Sequence, residues 1–213
     1  MLSGRLRKGL SFAQFWHRRR ERGMVPAMSA SVPQPWTREQ FFDWAKAQPT
    51  RYEFDGIQPV AMTGGNLHQD RISRNLHLSL QPRLRGSGCD TFGPNAGVAT
   101  VGQVVRYPDA LIACSKVDGE SRLVPNVAIV FEVLSPTSGG IDRSVKLREY
   151  SAVESIRCYI VIESATVGLT VLEKQENGSW KASSLTGDDM LVLPEVGLTV
   201  PVAEFYEGVE IDA

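Results

Sequence analysis

Two short apolar runs dominate the hydrophobic pattern. Arg106-Tyr107-Pro108-Asp109-Ala110-Leu111-Ile112 is the first, and Asn126-Val127-Ala128-Ile129-Val130-Phe131-Glu132-Val133-Leu134-Ser135 is the second. Both are rich in β-branched and aliphatic residues, and each carries one carboxylate at or near its end. Such runs, bounded by turn residues, read as strands buried on both faces.

Around them the polar and apolar positions alternate in recognisable periods. Thr37-Arg38-Glu39-Gln40 is a capping-box pattern, and Phe41, Phe42 and Trp44 follow at helical spacing, so a helix is expected over 38–47, stopped by Pro49. Arg51 to Phe54 reads as a strand, Asp55-Gly56 as a hairpin turn, and Ile57 to Met62 as the return strand, placed at an edge by Pro59. Thr63-Gly64-Gly65-Asn66 opens a long helix to about Arg85. Ile72, Leu76, Leu80 and Leu84 give it one buried stripe, and Pro82 is expected to kink or end its last turns. Short β-segments follow at Cys89–Phe92, Ala96–Val101 and Val104–Ala113, then a polar loop from Lys116 to Pro125. Val127 to Leu134 is the strongest strand, and Ser135 to Gly140 breaks it. A helix is expected from Asp142 to Ala152, then strands at Arg157–Ile162, Gly168–Glu173 and Trp180–Ser184, with Val200–Tyr206 closing the chain. This order predicts a mixed α/β domain: one central mixed β-sheet flanked by helices.

Composition narrows the setting. The 213 residues suit one domain with a sizeable core. The net charge is −1, but residues 1–23 hold seven basic groups against one acid. Residues 1–36 therefore read as a basic tail and linker. They are a disordered tail, an upstream extension before a true start at Met24 or Met28, or a nucleic-acid-binding arm. The domain is expected over 37–213. Beyond residue 23 the chain carries 16 basic and 23 acidic groups, an acidic body that argues against broad phosphate binding as the main activity. It leaves room for a nuclease, whose site is itself acidic. Cys89, Cys114 and Cys158 are widely spaced and odd in number, so three free thiols and a cytoplasmic location are expected. No apolar run approaches the ~18 residues of a membrane span.

The carboxylates supply the candidate chemistry. Period-two alternation puts Glu132 on one face between Val130 and Leu134, where an ionised group needs a partner. Asp109 stands at the head of the other run. Two carboxylates on neighbouring strands can share one magnesium, with waters and a phosphate oxygen completing the shell. The plainer alternative is an Asp in a strand-start turn and a Glu paired with an Arg. Lys146 lies four residues from both Asp142 and Tyr150, on one helix face. It is either a surface lysine paired with Asp142 or a group reaching back over the end of the sheet.

Five segments in series then carry a resemblance. Tyr52-Glu53-Phe54-Asp55-Gly56, His68 opening a helix, Tyr107-Pro108-Asp109, Phe131 to Ser138, and Asp142 to Tyr150 look like the Uma2 family of the PD-(D/E)xK nuclease superfamily. The match runs from about Trp36 to Gly208. The resemblance implies a restriction-endonuclease-like core and a site dependent on Mg2+ or Mn2+. It implies Asp109 and Glu132 as metal ligands, Glu53 as a further acidic ligand, His68 as a helix-opening site residue and Lys146 as the catalytic lysine. The superfamily usually places that lysine two residues after the glutamate, where this chain has Leu134. The family's turn usually reads Asp-Gly-Glu, where this chain has Asp55-Gly56-Ile57.

Three functions stay open on these residues. One is a metal-dependent DNA endonuclease, with Arg71, Arg74 and Arg143 as phosphate contacts, acting as a homodimer where both strands are cut. The second is an inactive nucleic-acid or protein interaction module that keeps the fold. The third is a phosphate-ester enzyme using the same carboxylates.

Overall fold

The computed structural model describes residues 34–134 and 140–211, with side chains described from residue 143 onward in the second stretch. The expectations for residues 1–33 and for Ser135 to Gly139 lie outside the described residues, as does any pairing of the Asp142 side chain. Pro35–Ala213 forms one unit.

Helix α1 spans Arg38–Ala45 and starts at the expected capping box: Thr37 Oγ1 accepts from the Gln40 N–H, and Gln40 Oε1 accepts from the Thr37 N–H. Strands β1 (Tyr52–Phe54) and β2 (Pro59–Ala61) form the expected hairpin, with Gly56 at φ 89° in its turn and β2 at a sheet edge. Helix α2 (Leu67–Leu84) is capped reciprocally by Asn66 and Gln69. Pro82 lies in the last turn of α2, which ends two residues later at Leu84.

The single strand expected over Val104–Ala113 is two strands in two sheets. β3 (Asp90–Phe92) and β4 (Val98–Ala99) are followed by β5 (Val105–Arg106) and β6 (Ala110–Ala113). Tyr107-Pro108-Asp109 is the link between the last two, and Pro108 has no N–H to give a ladder. β5 joins a small sheet in the order β2-β1-β5-β4. β6 joins the central sheet, in the order β10-β9-β8-β7-β6-β3. Its remaining members are β7 (Val127–Leu134), β8 (Cys158–Glu163), β9 (Gly168–Lys174) and β10 (Trp180–Thr186). The β7–β8 pair is parallel and the others antiparallel, so the sheet is mixed as expected. Helix α3 (Gly140–Ser151) is the crossover between β7 and β8. A hairpin of β11 (Met190–Leu193) and β12 (Leu198–Pro201), unforeseen from the sequence, precedes a closing 3-10 turn over Val202–Tyr206.

β7 is buried on both faces, and alternation sorts its side chains. Ile129, Phe131 and Val133 pack with the α2 stripe of Ile72, Leu76, Leu80 and Leu84. Val130 and Leu134 pack with Tyr150, Tyr159 and Val161 on the α3 side. A third cluster holds α1 on the small sheet through Phe41, Phe54 and Val105.

The cysteine expectation needs correction. Cys89 and Cys114 form a disulfide bridge, and only Cys158 is free, its thiol pKa pushed up by burial. β3 pairs with β6 so that Asp90 faces Ala113, and one further step sets Cys89 opposite Cys114. A separation of 25 residues hides that neighbourhood until the strands are paired.

Phe131 is fully buried at the centre of the larger core. Phe131→Ala is expected to lower unfolding stability by about 3–5 kcal/mol, read as a reduced urea midpoint with an unchanged slope.

Candidate active site

The strand register builds the centre of the site. In the β6–β7 pair Ala110 faces Phe131. Asp109 stands one residue before β6, beside this end of the pair, and its charge acts on Glu132. Asp109 is fixed further by its own hydrogen bond, because Oδ2 accepts from the Val133 N–H at 2.7 Å. The Asp109 carbonyl lies 3.2 Å from Nε2 of His77 on α2.

Glu132 is 4% exposed and faces α3. Lys146 Nζ donates to its Oε2 at 3.1 Å, and the Tyr150 O–H donates to Oε1 at 2.8 Å. Lys146 and Tyr150 are four residues apart, the spacing that stacks two side chains on one face. Lys146, read from the sequence either as a partner of Asp142 or as a group reaching back over the sheet end, lies on Glu132. Tyr150 was visible on that face in the sequence, but its role was not.

A second buried cluster adjoins the first. Arg106 grips Glu149 with two bonds, Nε to Oε2 at 2.7 Å and Nη2 to Oε1 at 2.8 Å. Its Nη1 donates to Glu53 Oε2 at 2.8 Å. The register explains the second contact: Phe54 faces Val105, so Glu53 faces Arg106. Glu53 Oε1 accepts from the Tyr107 N–H at 3.2 Å. Both oxygens of Glu53 are therefore engaged, one by Arg106 and one by the Tyr107 N–H. Arg106 and Glu149 went unnoticed in the sequence. The argument that singled out Glu132, a charged residue in an apolar strand, applies equally to Arg106 after Val104 and Val105.

His68 lies in the first turn of α2, half-buried and without a hydrogen bond to any described residue. That turn sits at the end of β7, because Gln69 Nε2 donates to the Val133 carbonyl at 3.1 Å. Val133 thus ties Asp109 through its N–H and α2 through its C=O. Of the three arginines, Arg143 pairs with Glu163 at 2.9 Å, at the end of β8 beside Leu134. Arg71 donates to the Gly208 carbonyl, which turns it toward the chain's C-terminal turn, and Arg74 is exposed on α2.

The electrostatics follow from burial. The Glu132 pKa rises from 4.5 to about 7, chiefly because burial strips its carboxylate of water. The nearby charges of Asp109 and Glu53 push the same way, while Lys146 and the Tyr150 hydroxyl oppose them. Burial also raises the Asp109 pKa, against the Val133 hydrogen bond and the charge of Lys146. The two clusters hold four carboxylates (Glu53, Asp109, Glu132, Glu149) against two cations, Arg106 and Lys146.

This surplus of anionic oxygen fits a hard divalent cation. Magnesium is commonly held by one or two carboxylates, with waters and substrate phosphate as its other ligands. Asp109 and Glu132 are a donor set of that kind. Among the described residues no three His, Cys, Asp or Glu side chains converge to hold a metal, so a shell of protein ligands alone is not formed.

Comparisons place this geometry among known proteins. The family model Uma2, described as "Putative restriction endonuclease", matches residues 38–203. Two uncharacterized Synechocystis proteins are similar. The first, slr1290, is 28% identical over 185 residues, covering 85% of this chain and 97% of that protein. The second, sll1609, is 20% identical over 141 residues, covering 64% and 80%. The crystal structure of a putative nuclease belonging to DUF820 from Anabaena variabilis superposes with a TM-score of 0.64 at 12% identity, over 83% of this chain and 100% of that one. The shared fold is thus that of a nuclease-like protein. Among the described residues no helix is long and apolar enough to cross a membrane.

Two outcomes are expected from the site. Arg106→Ala leaves Glu53 and Glu149 buried and unpaired, and should cost about 3–5 kcal/mol in urea unfolding. Glu132, whose pKa is raised on folding, contributes stability that is full below about pH 4.5 and is lost as pH rises through about 7. In metal-free buffer the fall in melting temperature across that window should be steeper for the native chain than for Glu132→Gln.

Proposed function

Because the chain belongs to the Uma2 family, we propose that it is a divalent-metal-dependent DNA endonuclease whose site is built on Asp109, Glu132 and Lys146. One observation carries this reading. Asp109, at the head of β6, acts through its charge on Glu132 of β7, while α3 lays a lysine on that same glutamate.

Asp109 and Glu132 would hold Mg2+ or Mn2+, an ion that supplies Lewis-acid stabilisation of charge growing on the scissile phosphate. The protein's own groups do the rest. Asp109, clamped by the Val133 N–H, is fixed in position before substrate arrives. Glu132, buried at this end of the sheet, is held by Lys146 on one oxygen. Lys146 carries a proton at Nζ, 3.1 Å from Glu132, where it can orient an attacking water or donate to a phosphate oxygen. Leu134, at the superfamily's usual lysine position, is 4% exposed in the α3-side core. Lys146 reaches the glutamate on this same α3 side, from the crossover helix. The Tyr150 hydroxyl holds the other carboxylate oxygen and orients it.

A second reading has one observation in its favour. Lys146 and Tyr150 already occupy both oxygens of Glu132, a closed network of the kind a non-catalytic interaction module would also tolerate. The two readings differ in metal binding and turnover.

Supercoiled plasmid incubated with Mg2+ or Mn2+ separates them. The native chain should nick it. Asp109→Ala and Glu132→Ala should each abolish nicking, and Lys146→Ala should slow it by roughly 10²–10⁴-fold. Nicking that survives both carboxylate substitutions would remove the proposed site. DNA binding without turnover, and without heat on titration with Mn2+, would establish the interaction module.

A further inference from the structure

Arg51 was not among the arginines that the sequence suggested for phosphate binding. It precedes β1 and is exposed. Its guanidinium lies over the Tyr107 ring, 5.6 Å from the centroid, and its Nη2 donates to the Pro94 carbonyl. Tyr107 is itself fixed, since its N–H is bound by Glu53 and it stands two residues before Asp109. Arg51 is thereby held in one place by an aromatic face and a loop carbonyl, at modest entropic cost for any further contact.

The other cations nearby are committed. Arg106 is buried between Glu53 and Glu149, Arg122 donates to the Phe42 carbonyl and lies over the Phe42 ring, and Arg143 pairs with Glu163. Arg51 has no ion-pair partner among the described residues. A guanidinium carries five N–H donors, and the Pro94 contact takes one of them. Its charge also reaches Asp109, where with Lys146 it partly offsets the rise in pKa that burial causes.

We propose that Arg51, seated on Tyr107, receives a backbone phosphate of nucleic acid at the rim of the Asp109–Glu132 site. The assignment rests on the nuclease reading above. The fork of the guanidinium matches two phosphate oxygens, and the contact is independent of base identity. Its task is to seat the strand so that the neighbouring phosphodiester meets the carboxylates.

The test is fluorescence anisotropy of labelled duplex DNA with the Glu132→Gln chain, which keeps the bound DNA intact, across a series of KCl concentrations with Mg2+ present. Adding Arg51→Ala should weaken binding about tenfold or more and reduce the slope of log affinity against log salt by about one. Arg51→Lys keeps the charge and loses the planar fork, so it should fall between the two. Lys181→Ala, on the edge strand β10, should change neither quantity. If the parent binds and Arg51→Ala and Arg51→Lys match it in affinity and slope, with melting temperatures unchanged, the Arg51 assignment is overturned and the nuclease reading stands. If the native chain neither binds nor nicks DNA, the nuclease reading fails and takes this assignment with it.

Discussion

A carboxylate that is 4% exposed in the middle of a sheet has to be neutralised, and that requirement on Glu132 orders everything around it. Strand β7 is otherwise a run of aliphatic and aromatic side chains buried on both faces. An uncompensated charge there would cost several kcal/mol. Helix α3 meets the demand with an ammonium and a phenol one turn apart. The crossover helix is thereby held in register against the sheet, and the Asp109 link is held against the end of β7 by the Val133 N–H. Even so, Lys146 does not fully offset the burial. The pKa of Glu132 stays high because burial outweighs the charge of Lys146.

Arg106 solves a related problem between the two sheets. The small sheet and the central sheet are joined by the three residues Tyr107-Pro108-Asp109, a connection too short to fix their relation without further contacts. Arg106 ends β5 on one side of that link and reaches Glu149 on α3, while Glu53 faces it from β1. A single guanidinium therefore ties β1, β5 and α3 together. The face of α3 that offers Lys146 and Tyr150 to Glu132 also offers Glu149 to Arg106, so the two buried clusters share one helix. A change in either is felt by the other through the position of α3.

Much of this was legible along the chain, and the reasons differ by element. The α2 stripe of Ile72, Leu76, Leu80 and Leu84 was clear because a four-residue spacing has one structural meaning over so long a stretch. The Thr37 capping box and the Asp55-Gly56 turn were clear because their chemistry is local. The split of Val104–Ala113 was missed because an apolar run carries no mark of which sheet each half joins. The β11–β12 hairpin was missed because its strands are four residues each, with outward positions such as Met190 and Val192 also apolar, so alternation is blurred. The Cys89–Cys114 bridge and the Arg106 contacts were invisible because they join residues 25 to 53 positions apart.

The sequence by itself determined the three helices, the order of most strands, the buried stripe of α2 and the presence of costly carboxylates on two core segments. Those follow from periodicity and from the price of burying charge, both of which are local. Tertiary structure alone decided who answers those charges. The β6–β7 pairing brought Asp109 to the end of β7, where it accepts from the Val133 N–H, the β1–β5 register gave Glu53 to Arg106, and the crossover brought Lys146 and Tyr150 onto the glutamate. Each is a long-range pairing, fixed only when whole strands align to bury their apolar faces, and a one-residue slip in any of them would turn these side chains away.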